Sequence, residues 1–566
     1  MNAVNEVIAD RVQVALVDED AEGGYQVELP FRLLVLGNFS GADSDAVSDR
    51  LTTITVSHAN VESLLKQFHI TLDMLLDLGG IEVDAVVNLE SFSDFLPQML
   101  LHQVAPLQLI HHCCEALADG ETLDLSDKPA WLQQLLQQCG AVGGDDAFPA
   151  LVSLSLLRRA ISHGISSILH DERFLQLETL WRDLLELVGG LGSHCCSVDI
   201  LDVTYQQLES DCGGKQDVEF SQLYHLLYNI EYGQFGGVPY SAVVLAFSFG
   251  PQRPQVRLLE QLAFIGSRCH LLFIAQAAAS FFNIDSIRQL SSINGITELL
   301  QGPSYIYWRA FQERDNARYV ALTLPGVLRR LPYRAEAAAA DLSFNEAVSG
   351  SGSKMIWGSA AFDYALCMVR SYQQFGTPID AVGKVGGRIY RPSYLQGSAS
   401  GYPFVNLVLS ERRERELAEL GFLPLTLDAS GEFATFYSAN SVHWGSLRHL
   451  AGERENILNR RLGAQLPYLL MIARVAHYLK VIQRDRLGSL ATVEEIADEL
   501  NHWLQQYVCD SESPPTVVRK RRPFRQALLT QCGFSDGEHW PQLELQLVPH
   551  TQHNGAKFAL NLNCSL

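Results

Sequence analysis

Two glycine-rich segments have the composition of loops that hold phosphate groups. In Ser349-Gly-Ser-Gly-Ser-Lys354 the lysine is followed by Met355, where a phosphate loop has Ser or Thr, and the leading glycine is missing. Gly383-Lys-Val-Gly-Gly-Arg388 follows no long strand and lacks the spacing of a dinucleotide fingerprint. The spacing argues against nucleotide binding in both segments and predicts a tight turn in the second.

Two runs of histidine and cysteine resemble metal sites in composition, namely His111-His112-Cys113-Cys114 and His194-Cys195-Cys196. Adjacent residues point about 100° apart on a helix and to opposite faces of a strand. Zinc ligands instead lie two to four residues apart and are matched by a second pair. We therefore expect the first run to lie on a half-buried helix and the second to enter a core strand, where free cysteine packs as a small hydrophobe.

The segment Gly533-Phe-Ser-Asp-Gly537 matches the G-x-S-x-G pattern of a nucleophile elbow. Such an elbow needs a buried strand before the serine and a helix after it. Here the preceding Phe524 to Leu529 is interpreted as helical, and Pro541 follows soon after. We therefore interpret Ser535 as part of a turn, and the sequence predicts no catalytic residue, no cofactor and no metal.

The strongest basic run comprises Arg519, Lys520, Arg521, Arg522 and Arg525. Taken alone it suggests nucleic-acid binding, but interleaved aromatic residues and an overall basic domain are missing. We therefore expect this run to contact acidic surfaces of another subunit rather than nucleic acid.

The formal net charge of −22 is concentrated near the start of the chain. Residues 1–150 hold 24 Asp or Glu against 5 Lys or Arg, which leaves 40 acids and 37 bases for residues 151–566. This acidity makes the first part a poor candidate for nucleic acid. It indicates either a solvated face kept soluble by self-repulsion or a face that meets basic surfaces of neighbours.

The chain has 566 residues, of which 47% are hydrophobic and 19% charged, so more than one domain is expected. The first residues lack the pattern of a signal peptide, and no stretch of about 18 uncharged apolar residues occurs. Eleven scattered cysteines suit a reducing compartment. We expect a cytoplasmic protein without membrane insertion.

A polar, glycine-rich stretch within 119–150 marks a domain boundary. With the bounds of the resemblance given below, the chain is divided into a first unit at 1–125, a linker at 126–149 and a second unit at 150–566. The first unit is expected to be α/β, and the linker to carry one amphipathic helix. The predicted elements are strands at Arg11 to Val17, Phe31 to Gly37 and Ile81 to Leu89, and helices at Val61 to Phe68, at Phe95 to Leu117 with Ser93 and Asp94 as cap, and at Pro129 to Cys139.

The second unit begins with a long helical pattern from Ala150 through Leu185, after which short apolar strands alternate with helices. That rhythm predicts mixed sheets covered by helices, hence an α/β fold. The predicted elements are strands at 197–203, 242–247, 270–275, 543–548 and 557–562, and helices at 256–265, 357–375 and 466–483.

The second unit resembles the large sheath subunit of type VI secretion, TssC or VipB, over residues 150–566. The resemblance rests on 169–184 (LHDERFLQLETLWRDL), on 231–240 (EYGQFGGVPY), and on a C-terminal series. That series comprises 466–468 (LPY), 476–480 (AHYLK), 503–508 (WLQQYV) and 519–525 (RKRRPFR).

Residues 1–125 resemble the small sheath subunit, TssB or VipA, through 28–41 (ELPFRLLVLGNFSG) and 92–97 (FSDFLP). They depart from that family in the sparsely charged 66–80 and in the shortened helical segment at 119–139. The two subunits are expected to be fused into one polypeptide.

The resemblance implies a contractile-tail-sheath-like fold with exchanged terminal β-strands. It also implies a helical homopolymer that assembles around an inner-tube protein and contracts to propel it, with baseplate components and a ClpV-type AAA+ ATPase as further partners. A sheath of another phage-tail-like contractile injection particle is an alternative, and an α/β enzyme a more distant one.

The residues assigned to these roles fall into three groups. The exchanged strands are predicted to pair through Arg11, Val12, Val14 and Leu16 with Leu543, Leu545 and Leu547. The basic run forms a further contact. The amphipathic face of the linker helix, Trp131, Leu132, Leu135 and Leu136, is the candidate for recognition by the unfoldase.

Overall fold

The computed structural model describes most of the chain, in fourteen segments. They are 29–42, 51–119, 128–139, 150–192, 195–213, 217–334, 344–348, 354–392, 402–449, 461–486, 493–511, 513–534, 541–550 and 560–564. The predicted strand at Arg11 to Val17 lies outside them, as do residues 349–353 and Ser535.

The strands are numbered in chain order. They are β1 Phe31–Gly37, β2 Thr53–Val56, β3 Ile70–Asp77, β4 Glu82–Leu89, β5 Cys196–Asp202, β6 Ala242–Phe249, β7 Leu272–Ala277, β8 Val320–Leu324, β9 Val327–Leu328, β10 Trp357–Gly358, β11 Arg388–Tyr390, β12 Phe422–Pro424, β13 Thr426–Leu427, β14 Phe433–Thr435, β15 Phe524–Phe534, β16 Pro541–Pro549 and β17 Leu560–Cys564.

The α-helices of six or more residues are numbered in the same way. They are α1 Val61–Gln67, α2 Pro97–Gln103, α3 Ala105–Ala118, α4 Ala130–Gln138, α5 Ala150–Leu169, α6 Glu172–Gly189, α7 Arg253–Cys269, α8 Ile306–Glu313, α9 Ala360–Phe375, α10 Glu411–Glu419, α11 Leu466–Arg486, α12 Val493–Leu504 and α13 Thr516–Arg521.

Strand β1 occupies an inner position in a seven-stranded sheet of order β12-β8-β7-β6-β1-β5-β2. It pairs in parallel with β5 on one side and with β6 on the other, while the edge strand β2 runs antiparallel to β5. Leu33 and Val35 join the core on one face of the sheet, and Leu34 and Leu36 the core on the other. The near-continuous apolar run of β1 follows from this double burial. The first and second units therefore share one sheet.

Strands β3 and β4 form a separate antiparallel hairpin. Buried and exposed residues alternate along both strands, as expected for a sheet with one packed face. Leu72 and Val87 on the packed face belong to the same core as Ile165 and Ile168 of α5. The opposite face of the hairpin is open to solvent.

The C-terminal part is built around a third core. Helices α11 and α12 contribute Tyr478 and Trp503 to it, and the three-stranded sheet β15-β16-β17 contributes Leu529 and Leu547. Leu29, the first residue that the structure describes, is buried in the same core. The first described residue of the first unit thus packs against the C-terminal part of the second.

Most predicted elements in the described segments are confirmed to within four residues at each end. The long helical pattern from Ala150 instead consists of two helices. The first ends at Leu169, and Asp171 caps the second by accepting the backbone N–H groups of Arg173 and Phe174.

The helix predicted from Phe95 to Leu117 with Ser93 and Asp94 as cap is wrong. A short 3₁₀-helix with Ser91 as its N-cap precedes α2, and α2 ends at Gln103. Pro106 then sits in the first turn of α3 and lacks the N–H that a continuous helix would donate to His102.

The helical interpretation of Phe524 to Leu529 is also wrong, because these residues open β15. Ala527 and Leu529 are buried, whereas Leu528 between them is 39% exposed. This period of two belongs to a strand. A short apolar run does not by itself distinguish a strand from a helix. Strand β3 was not predicted from the sequence.

Candidate subunit interface

The C-terminal sheet carries one group of the predicted interface residues. Strand β16 lies between β15 and β17 and is antiparallel to both. Leu543, Leu545 and Leu547 stand at alternate positions of β16, and Leu547 is buried in the third core. The strands predicted at 543–548 and 557–562 are both present, with β17 starting three residues later than predicted.

The two edges of this sheet differ in how much backbone they leave unpaired. On the β15 side, the Asn501 side chain accepts the backbone N–H of Leu529 at 2.8 Å and donates to its carbonyl at 3.0 Å. Cys509 donates its backbone N–H to the Phe524 carbonyl at 2.9 Å. Within the described segments, no strand pairs with the outer edge of β17. Among the described residues, the backbone along the outer edge of β17 is therefore available to an added strand.

Arg474 of α11 holds the first two described residues of the first unit, Leu29 and Pro30. The side chain of Arg474, buried in the interior, donates to the carbonyl oxygens of Leu29 and Pro30. It also donates to the hydroxyl oxygens of Tyr372 and Tyr478, at 2.9 and 3.3 Å. Burial alone would lower the pKa of Arg474, but the surrounding tyrosine hydroxyls raise it above its ordinary value. A charged guanidinium therefore holds Leu29 beside the C-terminal sheet.

Arg32 of β1 ties the first unit to the middle of the second. Its guanidinium lies 2.6 Å from Asp199 of β5 and 2.9 Å from Glu231. It also stands 4.2 Å from the ring centroid of Tyr240, whose hydroxyl donates to Asp199 at 2.7 Å. Burial alone would lower the pKa of Arg32, but the tyrosine and the two carboxylates raise it above its ordinary value. Arg32 therefore keeps its positive charge inside the fold.

Trp181 of α6 makes a third link between the two units. It is fully buried, and its indole N–H donates to the carbonyl of Phe39 at 3.2 Å. The rings of Phe39, Phe68 and Phe92 meet it edge-on at 5.5, 5.8 and 6.3 Å between centroids. Aromatic contacts of this kind add to the burial energy. The first unit therefore surrounds a side chain of the second.

A buried ionic cluster that the sequence did not predict lies within the second unit. Arg329 pairs with Asp183 and with Asp363, the latter at 2.8 Å; Arg330 lies 2.9 Å from Glu178 and 2.6 Å from Glu346. Burial would raise the pKa of Glu346, but hydrogen bonds from His170 and Arg330 lower it to about 2. The adjacent arginines just before Leu331-Pro-Tyr333 were the signal that could have located this cluster.

The basic run is divided between the surface and an internal contact. Lys520 of α13 lies 2.6 Å from Asp380 and 4.8 Å from the ring centroid of Phe375. Its carbonyl accepts the Thr377 hydroxyl at 2.5 Å. Lys520 therefore anchors α13 to its own chain. The remaining members, Arg519, Arg521, Arg522 and Arg525, are exposed or half-buried, and no ion pair joins them to a described carboxylate.

The predicted linker helix is present as α4, and its apolar face is already occupied. Leu132, Leu135 and Leu136 are buried in the core that also contains α3 and α5, and Trp131 is partly buried against it. Recognition of this face by another protein would require α4 to leave its site.

The segments with metal-like or phosphate-like composition take ordinary structural positions where they are described. Cys113 and Cys114 are buried on α3, and burial raises the pKa of Cys114 to about 11. Cys196 opens β5. Gly383 begins a single helical turn with a φ of +81°, a conformation that favours glycine.

Comparison with known families assigns nearly the whole chain. Residues 153–443 match the tail sheath N-terminal domain of VipB (EvpB/VC_A0108), and residues 455–566 match its tail sheath gpW/gp25-like domain. Residues 4–139 match the family "Type VI secretion system, VipA, VC_A0107 or Hcp2". The chain is 29% identical over 446 residues to the type VI secretion system sheath protein TssC1 of Pseudomonas aeruginosa strain PAO1, which covers 76% of this chain and 88% of that protein.

In the described part of the chain, every helix is too short or too polar to span a bilayer.

Proposed function

The chain belongs to the VipB family of type VI secretion tail sheath proteins, and we propose that it supplies both the small-subunit and the large-subunit parts of one sheath building block. It is a structural subunit of a sheath that assembles as a polymer. The polymer is proposed to surround an inner-tube protein in the cytoplasm, to dock on baseplate components and to contract. The energy of contraction lies in assembly, so no catalytic role is proposed.

The observation that carries the fused building block is the position of β1. The VipA-like segment supplies an inner strand of the sheet whose next strands on both sides come from the VipB-like segment. A covalent link between two parts that share a sheet raises their effective concentration and removes the need for a second chain.

Expression of this chain alone tests the proposal. It should sediment as a polymer and appear as tubes in electron micrographs without any other sheath protein. Co-expression with a separate small subunit serves as the comparison and should change neither yield nor appearance. Tubes that form only after that addition would contradict the fusion.

Strand exchange is the proposed link between neighbouring building blocks. The strand predicted at Arg11 to Val17 would leave its own body and pair along the free edge of β17 in a neighbour. Main-chain hydrogen bonds hold regardless of how side chains repack, so such a link suits rigid-body rotation during contraction. Leu29, which follows this predicted strand in the sequence, is held by Arg474 beside the C-terminal sheet.

Deletion of residues 1–20 and the substitution Val14→Pro test this link. Proline removes one ladder hydrogen bond and fixes φ near −65°, so both variants should fold but remain monomeric by sedimentation. Val14→Thr keeps the backbone N–H and should assemble as the wild type does. If the deletion variant forms tubes that contract normally, strand exchange is wrong.

Recycling by a ClpV-type AAA+ ATPase is proposed to begin at α4. Because Leu132, Leu135 and Leu136 are buried, the helix would be recognised only when contraction releases it. Hydrogen exchange of residues 130–138 should then be slow in the extended sheath and fast in the contracted one. Equal protection in both states would exclude this helix as the recognition site.

A further inference from the structure

The open face of the β3–β4 hairpin is acidic with an apolar centre. Its exposed carboxylates are those of Asp73, Asp77, Glu82 and Asp84. Between them Leu75 and Val86 are 54% and 49% exposed, in the register Asp73 opposite Val86 and Leu75 opposite Asp84.

Part of this face is already committed within the chain. Asp77 accepts the backbone N–H groups of Gly79 and Gly80, which close the turn. Arg173 stands at the border, where it donates to the carbonyl oxygen of Asp73 and leaves the carboxylate unpaired. Asp73, Glu82 and Asp84 form no ion pair with a described residue. This face therefore offers three carboxylates without an ion pair among the described residues, placed around two branched apolar side chains, and it suits a basic and partly apolar partner.

Helix α13 has the complementary character. Lys520 is held by Asp380, which leaves Arg519, Arg521 and Arg522 exposed. Val517, one helical turn before Arg521, is 56% exposed and lies on the same side of the helix. The guanidinium group of Arg521 therefore lies beside one branched apolar side chain, and Arg522 follows directly at the end of the helix.

We propose that the acidic hairpin face of one chain docks on helix α13 of a neighbouring chain. This rests on the proposed sheath function, since a polymer of one kind of chain joins two different surfaces of that chain. Both surfaces are exposed in the same chain, so they do not cover each other. Opposite charges around a small apolar centre favour one register and disfavour others.

Charge reversal on each side, and on both, tests the contact. Asp73→Lys with Asp84→Lys should raise the protein concentration that gives half-maximal sedimentation by at least about tenfold, because like charges then face each other. Arg521→Glu with Arg522→Glu should do the same. The four changes together should return that concentration to within about threefold of the wild type, since the pairing is restored with its polarity inverted.

A matched control separates this contact from net charge. Asp285→Lys with Glu313→Lys makes the same charge change at two exposed acidic positions of the second unit and should leave assembly unchanged. Circular dichroism and melting temperature verify folding of each variant. Should the lysine variant fail to fold, Asp73→Asn with Asp84→Asn should weaken assembly less but measurably.

The outcomes distinguish this contact from the function on which it rests. A wild type that forms no polymer overturns the sheath function and the contact with it. A wild type and both reversal variants that polymerise alike overturn the contact alone. If the variant with all four substitutions does not regain assembly, α13 is not the partner of the hairpin. The same follows if the wild type binds duplex DNA in a salt-sensitive way and the glutamate variant does not.

Discussion

Replacing Arg32 by methionine should break the ionic link between β1 and the second unit. Methionine keeps much of the length of the side chain but leaves Asp199 and Glu231, which are 2% and 4% exposed, without their cation. Removing one partner of a buried pair costs about 3–5 kcal/mol because the remaining charge stays buried. That is a large fraction of the roughly 5–15 kcal/mol by which domains are stable.

Urea denaturation of the dissociated chain, followed by circular dichroism and tryptophan fluorescence, measures this cost. The midpoint should fall for Arg32→Met with little change in the slope.

The matched variant replaces all three groups, Arg32→Met with Asp199→Asn and Glu231→Gln. It should recover most of the lost stability, because no buried charge remains. If Arg32→Met is as stable as the wild type, the link contributes nothing. If the variant with three substitutions is as unstable as Arg32→Met, the lost stability comes from packing on Tyr240 and not from unpaired charge.

Three further substitutions probe the other buried contacts. Arg474→Met removes the donor to the Leu29 and Pro30 carbonyls. It should lower the free energy of unfolding, measured with urea, by about 3 kcal/mol, because a buried acceptor left unpaired costs about 1–3 kcal/mol. Arg412→Met, at an exposed position, is the control and should leave the free energy of unfolding unchanged. Lys520→Met should lower the free energy of unfolding by about 1–2 kcal/mol, and adding Asp380→Asn should lower it little further. Fully additive losses would contradict a direct pair between the two side chains. The pKa of Glu346 is lowered from 4.5 to about 2, so its contribution to the stability of the fold is complete above pH 4.5 and is lost as the pH falls towards 2. In an acid titration, Glu346→Gln should lack this part of the decline in stability.

The sequence predicted local structure wherever one side-chain pattern decided it. The run at 31–37 is short, apolar at nearly every position and closed by Gly37, which together favour a doubly buried strand. What it could not indicate is that its neighbours would be β5 and β6, which begin 165 and 211 residues after it. Strand pairing over such separations depends on the packing of the whole sheet and leaves no local pattern.

The sequence located parts of the candidate interface by local patterns, but it did not show the contacts these parts make with distant residues. The basic run was found by composition, but composition does not show that Lys520 turns inward to Asp380 while Arg521 stays exposed. The strand β16 was found by its alternation. The blocking of the β15 edge by Asn501 was not predictable, because a single amide that bonds a distant backbone has no sequence signature.

The three segments that carry the resemblance to the large subunit have a common role in the structure. Trp181 in the first packs on Phe39, Glu231 and Tyr240 in the second bind Arg32, and Tyr478 in the third accepts the backbone N–H of Leu29 at 3.1 Å. Each contact joins the VipB-like part to the VipA-like part.

In a sheath made of two chains, the same contacts would have to hold separate polypeptides together at the concentration of the free subunits. In a fused chain the partner is always at high effective concentration, so the contacts between the VipA-like and VipB-like parts need less intrinsic affinity. Substitutions there should therefore reduce stability before they reduce assembly. A chain cut within the linker at 126–149 should show the opposite order, because dilution can then separate its two halves.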